Sequence, residues 1–172
     1  MKARKNLLEF QRQLLERLAA APHNTTSDTL LGVSLGDQPW LINLSEISEV
    51  VPCPPIELLP LTKPWLRGAA NFRGQIYSVV DLANFIVGSA TPTPTTAGAR
   101  LLLVHRRVTL GCALLVSKVL GLRNPASFAD DATTPTAFPW VKATRIDGEQ
   151  RRWAELDLRR LTSHQTFLDV AS

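Results

Sequence analysis

Residues 64–88 read PWLRGAANFRGQIYSVVDLANFIVG. Leu66 to Phe72 has strand character, and Gln75 to Val80 is a second β-rich run containing Ile76, Tyr77, Val79 and Val80. The pair Arg73-Gly74 joins them. Two such runs linked by a pair ending in glycine predict a tight hairpin, and Gly74 supplies the positive φ that the turn demands. Asp81 then stands where a helix cap belongs, ahead of a short helix over Leu82 to Val87. Gly88 suits the left-handed residue that ends it.

The same grammar extends outward. Upstream, Leu31, Val33 and Leu35 alternate with Gly32 and Ser34, which predicts a half-buried strand. Gly36-Asp37 makes a turn, and Trp40, Ile42 and Leu44 alternate after it, completing a hairpin. Pro52, Pro54 and Pro55 force an extended link. Downstream, SATPTPTTAG (89–98) has neither apolar period nor charge and is assigned no site. Strands are expected over 100–104 and 108–116, with 118–122 continuing the second. A polar, proline-containing loop follows over 123–139. Asp147-Gly148, between Trp140–Ile146 and Gln150–Leu156, is the strongest hairpin signal in the chain. Asp157 caps a terminal helix to about Val170, with Leu158, Leu161 and Leu168 on one stripe. At the other end, Leu7, Leu8, Leu14, Leu15 and Leu18 share one face of a helix over 5–21, and Pro22 with Asn24 stops it. These readings divide the chain into a helix and hinge (1–27) and a β-rich domain (28–172). The strands lack βαβ alternation, so small antiparallel barrels are expected. No repeat at a fixed period stands out, although the two halves share a strand-rich grammar.

The composition narrows function by exclusion. The chain has 172 residues, 45% hydrophobic, with 19 Lys and Arg against 15 Asp and Glu, a net charge of +4. That apolar content is incompatible with disorder as the main state. No apolar run approaches the ~18 residues of a membrane span. Glu9, Gln11, Arg12 and Glu16 interrupt any export signal, so a reducing, cytoplasmic setting is expected. Phosphate-cradling loops and a nucleophile elbow are absent from the sequence. His23, His105 and His164 lie at no metal-ligand spacing. Cys112 sits within an apolar strand, as a small hydrophobe does, and Cys53 lies between prolines. Asp130-Asp131 reads as a solvated loop pair. Arg106-Arg107, Arg151-Arg152 and Arg159-Arg160 suggest a phosphate-contacting stripe, yet Asp147, Glu149, Glu155 and Asp157 interleave with the last two.

The set Gly68, Asn71, Arg73, Gly74, Asp81 and Leu82 resembles the central segment of CheW-like domains. There a Gly-apolar-x-Asn-x-Arg-Gly strand and turn lead into an apolar strand ending in Asp-Leu. Ile47-Ser48-Glu49-Val50 is similar to the family's apolar-x-Glu-Val segment, and VSKVLGL (116–122) to its Val-x-x-Val strand. The resemblance spans roughly Leu31 to Leu161. Ser78 departs from it, standing where many members carry proline. Trp65, Trp140, Trp153 and the N-terminal extension make the chain more similar to the type IV pilus branch.

This resemblance implies a mainly β fold of two SH3-like five-stranded β-barrels sharing a hydrophobic seam. It also implies a non-catalytic adaptor without cofactor or metal. Such an adaptor joins the cytoplasmic tip of a methyl-accepting chemoreceptor to the regulatory domain of a CheA-type histidine kinase. It reaches membrane receptor arrays only through these partners, with no membrane insertion and no nucleic acid. Carried onto this chain, the partner contacts are Ile47, Glu49 and Arg73, joined by Trp65 and Phe72. Asn71, Gly74, Asp81 and Gly88 serve turn and cap. Two readings of Arg73 stay open: a guanidinium projecting to a partner, or a clamp folded onto Glu49 or Asp81. Trp65 is either core or anchor. A nucleic-acid-binding small barrel, resting on the arginine pairs, is the alternative function, and an enzyme built on Cys53 or a histidine is a third.

Overall fold

The computed structural model describes residues 29–88, 91–132 and 138–171; the helix expected over 5–21, and the hinge after it, lie outside them. Eleven strands are described: β1 (Leu30–Leu35), β2 (Gln38–Asn43), β3 (Ile47–Pro52), β4 (Leu66–Phe72), β5 (Gln75–Asp81), β6 (Arg100–Val104), β7 (Cys112–Val116), β8 (Lys118–Arg123), β9 (Ala129–Asp130), β10 (Val141–Ile146) and β11 (Arg152–Leu156). Three short helices accompany them: α1 (Leu82–Val87), α2 (Leu158–Ser163) and α3 (Gln165–Leu168).

The strands form a six-stranded sheet, ordered β8-β1-β2-β11-β10-β9, and a five-stranded sheet, ordered β3-β6-β7-β5-β4. Each is two antiparallel hairpins laid side by side, with β8 and β9 added at the two edges of the larger sheet and β3 at one edge of the smaller. The hairpins meet along one parallel pair, β2 with β11 and β5 with β7. This departs from a purely antiparallel expectation, because the second hairpin arrives from a separate excursion of the chain. The outer strands of each sheet are consecutive in sequence. β8 reaches β9 through a single 3-10 turn, Pro125–Ser127. The link from β3 to β4 pairs with β4 on the way, Glu57 and Ala69 exchanging both backbone hydrogen bonds at 2.8 Å. Both sheets therefore curl on themselves, and the expected pair of barrels is what forms. The sixth strand of the larger barrel is the two-residue β9, within the segment expected to be loop.

Burial explains the sequence pattern. Leu101, Leu103, Ala113, Leu115 and Val79 fill the interior of the five-stranded barrel. Leu30, Leu41 and Trp153 fill that of the six-stranded one. Their neighbours Leu102, Val104, Leu114, Val116, Val80, Leu31 and Ile42 point the other way, into a seam shared by both barrels. Strands buried on two faces read as continuous apolar runs, LLLV and CALLV, rather than as alternation. β1 is likewise buried on both faces, not half-buried as its alternation suggests.

Three boundaries differ from expectation. The strand expected from Val108 begins only at Cys112, because residues 105–108 turn (Val108 N–H to His105 O, 2.8 Å). Lys118–Arg123 does not extend β7. The chain crosses between sheets at Ser117, whose Oγ donates to Ser34 O at 2.8 Å, and β8 then pairs with β1. The terminal helix breaks at His164, which is extended (ψ 138°) and caps α3.

The barrels are also two copies of one sequence unit. Pro64-Trp65 precedes β4 and Pro139-Trp140 precedes β10; Asp81-Leu82 stands at the end of β5 and Asp157-Leu158 follows β11. Asp81 N–H donates to Trp65 O at 2.8 Å, and Asp157 N–H donates to Trp140 O at 2.9 Å. Each aspartate then caps its helix, accepting from Asn84 N–H or Arg160 N–H.

Candidate docking site

The site grows from the hairpin at residues 71–74. Arg73 and Gly74 both adopt positive φ, +50° and +80°. A two-residue turn whose twist matches the flanking strands needs this. Asn71 Oδ1 accepts the Gly74 N–H at 2.9 Å and locks the turn. The Arg73 guanidinium lies 4.8 Å over the Phe72 ring and makes a paired contact with Glu49 of β3, 3.0 Å to Oε1 and 3.2 Å to Oε2. A register shift between Ile47 and Glu49 separates the faces on which these two lie. The ion pair joins β3, one edge strand of the five-stranded sheet, to the turn that follows β4, the other.

Both readings of Arg73 therefore have a structural basis. It clamps Glu49, while its side chain stays 73% exposed and that of Glu49 38%. An ion pair so exposed is worth about 0–1 kcal/mol, so it holds the fold together only slightly. Arg73 does not reach Asp81; Arg67 does.

Two residues expected among the partner contacts present no surface. Ile47 is buried in the seam. Trp65 is buried too, stacked on Phe167 (5.8 Å, 19°) and edge-on to Phe85 (5.1 Å). Phe85 in turn meets Trp140 at 5.2 Å. The tryptophans of the two repeats thus pack on one aromatic cluster between the barrels, and Trp65 is core rather than anchor. Phe72 is half-buried against the smaller barrel's interior.

Asp81 does more than cap α1. Fully buried, its carboxylate accepts from Thr93 N–H (2.7 Å), Thr93 Oγ1 (2.7 Å), Asn84 N–H (3.1 Å) and Arg67 (3.3 Å). Arg67 also donates to Thr93 O at 2.9 Å. The threonine-proline connection, assigned no role from sequence, is thereby pinned to the barrel at Thr93. Gly88 ends α1 in the left-handed region, φ +67°. Gly68 has a separate reason. Its φ is +129°, and a Cβ there would stand 2.0 Å from Glu57 O. The β3–β4 link crosses directly over it.

Much of the remaining charged chemistry is consumed internally. Arg151 pairs with Asp147 and Glu149, Arg152 with Asp131, and Arg160 with Asp157. Arg107 donates to Ser45 O. Four of the six paired arginines, Arg107, Arg151, Arg152 and Arg160, are thus engaged within the chain. Burial pushes the Cys112 thiol up to about 12, and it raises Cys53 as well; neither environment favours a thiolate. His164 packs edge-on against Trp140 at 5.0 Å rather than facing solvent freely. A cavity of about 610 Å³ at the barrel junction carries Glu46, Glu155 and Asp157 against Arg107, Lys142 and Arg159. Lys142 closes on Glu155 at 2.7 Å. Burial raises Glu46 above its ordinary value, opposed by the Leu158 N–H it accepts. Among the described residues, no group of three or more His, Cys, Asp or Glu is arranged to hold a metal ion.

Two curled sheets fused along an apolar seam, with an exposed ion pair at a hairpin tip, define a two-barrel docking module. The model of the CheW-like domain matches residues 29–166, and the chain belongs to that family. It is 28% identical over 165 residues to Protein PilI of Pseudomonas aeruginosa, covering 93% of this chain and 89% of that protein. Its fold is similar to the crystal structure of the scaffolding protein TtCheW from Thermoanaerobacter tengcongensis. The TM-score is 0.67 at 19% identity, over 84% of this chain and 94% of that one.

Proposed function

We propose that the chain is a non-catalytic adaptor that couples a chemoreceptor tip to the regulatory domain of a CheA-type histidine kinase in a type IV pilus chemosensory system. The family and the similarity to PilI support the signalling role and the pilus branch. The observation that carries the docking site is the exposed Arg73–Glu49 pair across the barrel edge, flanked by exposed Val50. A fork of donors held by its neighbours, yet facing water, is pre-organised to trade or share its carboxylate with a partner. Glu49, Arg73 and the accessible part of Phe72 form the contact; Ile47 and Trp65 lie in the seam and take no direct part in it. Among the described residues no helix is long and apolar enough to cross a membrane. In this reading the protein works in the cytoplasm and meets the membrane through its partners.

The test is calorimetric titration of the chain with the kinase regulatory domain encoded in the same genome, with and without a receptor-tip fragment. Micromolar binding is expected. Arg73→Glu should weaken it tenfold or more, about 1.4 kcal/mol, while the urea midpoint stays almost unchanged. Failure to bind any encoded kinase of this type overturns the reading.

A further inference from the structure

Among the described strands β8 is the outermost of the six-stranded sheet, and it carries Leu122, 62% exposed. In the β1–β8 register Leu122 stands opposite Leu31, and residues so paired project from one face. Leu31 is buried in the seam. Half-buried Val119 of β8 packs against the same cluster. The apolar surface of the seam therefore runs outward over β8 and ends at Leu122, open to water. α1 packs on β1 as well, and its buried Leu82, Ala83 and Ile86 join that cluster. Its last residue, Val87, is 54% exposed.

The chain enters the domain at this place. Thr29 O accepts the Leu44 N–H at 2.9 Å, and Leu30 pairs with Arg123, one residue from Leu122. The polar hinge before it, PHNTTSD (22–28), spans at most roughly 25 Å. A helix over 5–21 is about 26 Å long, so the hinge holds it near Leu122 at a millimolar effective concentration. On such a helix Leu7, Leu14 and Leu18 form the centre of the apolar face, with Leu8 and Leu15 on one flank and Phe10 on the other. Alone in water a helix this short is marginal, and its stability comes from packing that face. Glu9 and Glu16 fall together on the opposite face, beside Lys5 and Arg12. That mixture suits water; an anionic lipid surface favours a polar face rich in Lys and Arg. A helix laid along β8 also shields an edge strand, a common way to stop it pairing with other chains.

We propose that residues 5–21 dock as a helix on their own domain, the leucine face covering Leu122 and Val119 of β8 and reaching Val87 of α1. The segment then completes the seam instead of preceding the domain as a free arm, and it lies ahead of residue 29, where the match to the CheW-like domain begins. The contact uses neither Arg73 nor Glu49, and it stands whether or not the adaptor reading does.

Hydrogen exchange of the full chain, read by mass spectrometry on peptides covering 5–21 and 118–123, tests this. Amides over 7–18 should exchange about tenfold or more slower than in an unstructured chain. That protection should be unchanged on dilution, because the contact is within one chain. Leu122→Asp should abolish it while β6, in the core, keeps its own protection and so reports an intact fold. Leu14→Asp should abolish it too and should speed exchange over 118–123. Leu61→Asp, on the β3–β4 link and 82% exposed in its own right, should leave 7–18 protected. The proposal is overturned by a wild-type chain unprotected over 7–18, or by protection that survives Leu122→Asp. Protection that fails in Leu61→Asp, falls on dilution, or appears only with phosphatidylglycerol vesicles overturns it equally, since each puts the leucine face on another surface.

Discussion

Replacing Gly68 with alanine separates two reasons for a glycine that sequence alone merges. The added Cβ would lie 2.0 Å from Glu57 O and 2.8 Å from Glu57 C, both backbone atoms that cannot rotate away. The link must therefore lift from β4. Lifting breaks the two Glu57–Ala69 hydrogen bonds, about 0.5–1.5 kcal/mol each. The φ of +129° adds roughly 1–3 kcal/mol of strain for any residue with a side chain. The expected loss is about 2–6 kcal/mol, a large share of the 5–15 kcal/mol typical of a domain. Gly74→Ala is the control. Its φ of +80° is also positive, but nothing lies within 4 Å of the new Cβ, so only the strain remains, about 1–3 kcal/mol.

The assay is urea unfolding of both variants, paired with hydrogen exchange at Glu57 and Ala69. Gly68→Ala should cost clearly more than Gly74→Ala, and both amides should lose protection only in the former. Equal losses, or retained protection in Gly68→Ala, would refute the claim that this glycine exists to let the link pass.

Asp81→Ala should destabilise by about 3–5 kcal/mol, since it strands Arg67 and the two buried donors of Thr93; urea unfolding reads the loss, and exchange at Thr93 should accelerate most. Acid should act in two opposite directions. Partial burial of Asp147 is outweighed by the N–H groups of Arg151, Trp153 and Glu149, which hold it at about 2; partial burial of Glu155 is outweighed by Lys142 and Arg145, which hold it below its ordinary value. Both carboxylates therefore contribute stability that is present above their unfolded values, near 3.8 and 4.5, and lost as pH falls through the folded ones. Glu46, raised by burial, contributes stability below its unfolded value of 4.5 that is lost as pH rises through its folded one. Unfolding free energies measured at several pH values should show Asp147→Asn flattening the acid limb and Glu46→Gln raising stability at neutral pH.

Local chemistry was the legible part of the chain. The Asp81 cap, the Gly88 terminus and the Arg73-Gly74 turn depend on a few adjacent residues, and the structure has them at those places; the hairpin at Asp147-Gly148 also forms, but through a longer loop whose left-handed residue is Gln150 and whose second strand starts at Arg152. What depends on distant atoms was not legible. Nothing near Trp65 distinguishes a seam residue from a surface anchor; Phe85 and Phe167 do, and they lie far along the chain. Thr93 sits in a segment of featureless composition, and only the buried carboxylate across from it gives it a role. The repeat was hidden for another reason. Its landmarks, Pro-Trp and Asp-Leu, are spaced differently in the two copies, because one hairpin turns on Arg73-Gly74 and the other on the longer 147–151 loop. A search for a fixed period passes over it, whereas a search for paired landmarks finds it.

The repeat also bears on how such a module transmits anything. Each copy contributes a tryptophan whose backbone carbonyl holds the capping aspartate of its own helix. Both tryptophans then meet on Phe85. Cap, helix start and seam are thus one connected unit in each barrel, and the two units share their apolar faces. Rotating one barrel against the other would expose Trp65, Phe85, Trp140 and Phe167 to water, at roughly 25 cal/mol for each Å² of apolar surface uncovered. That cost keeps the barrels in fixed relation, so a partner bound at the Arg73 hairpin, as proposed above, would be held in a set orientation to the other barrel. The hairpin tips differ where the cores agree: Arg73 lies open, whereas the Asp147 carboxylate is tied to Arg151 and to the buried Trp153. Two copies of one scaffold therefore present unlike surfaces at a constant angle, which is what joining two different neighbours requires.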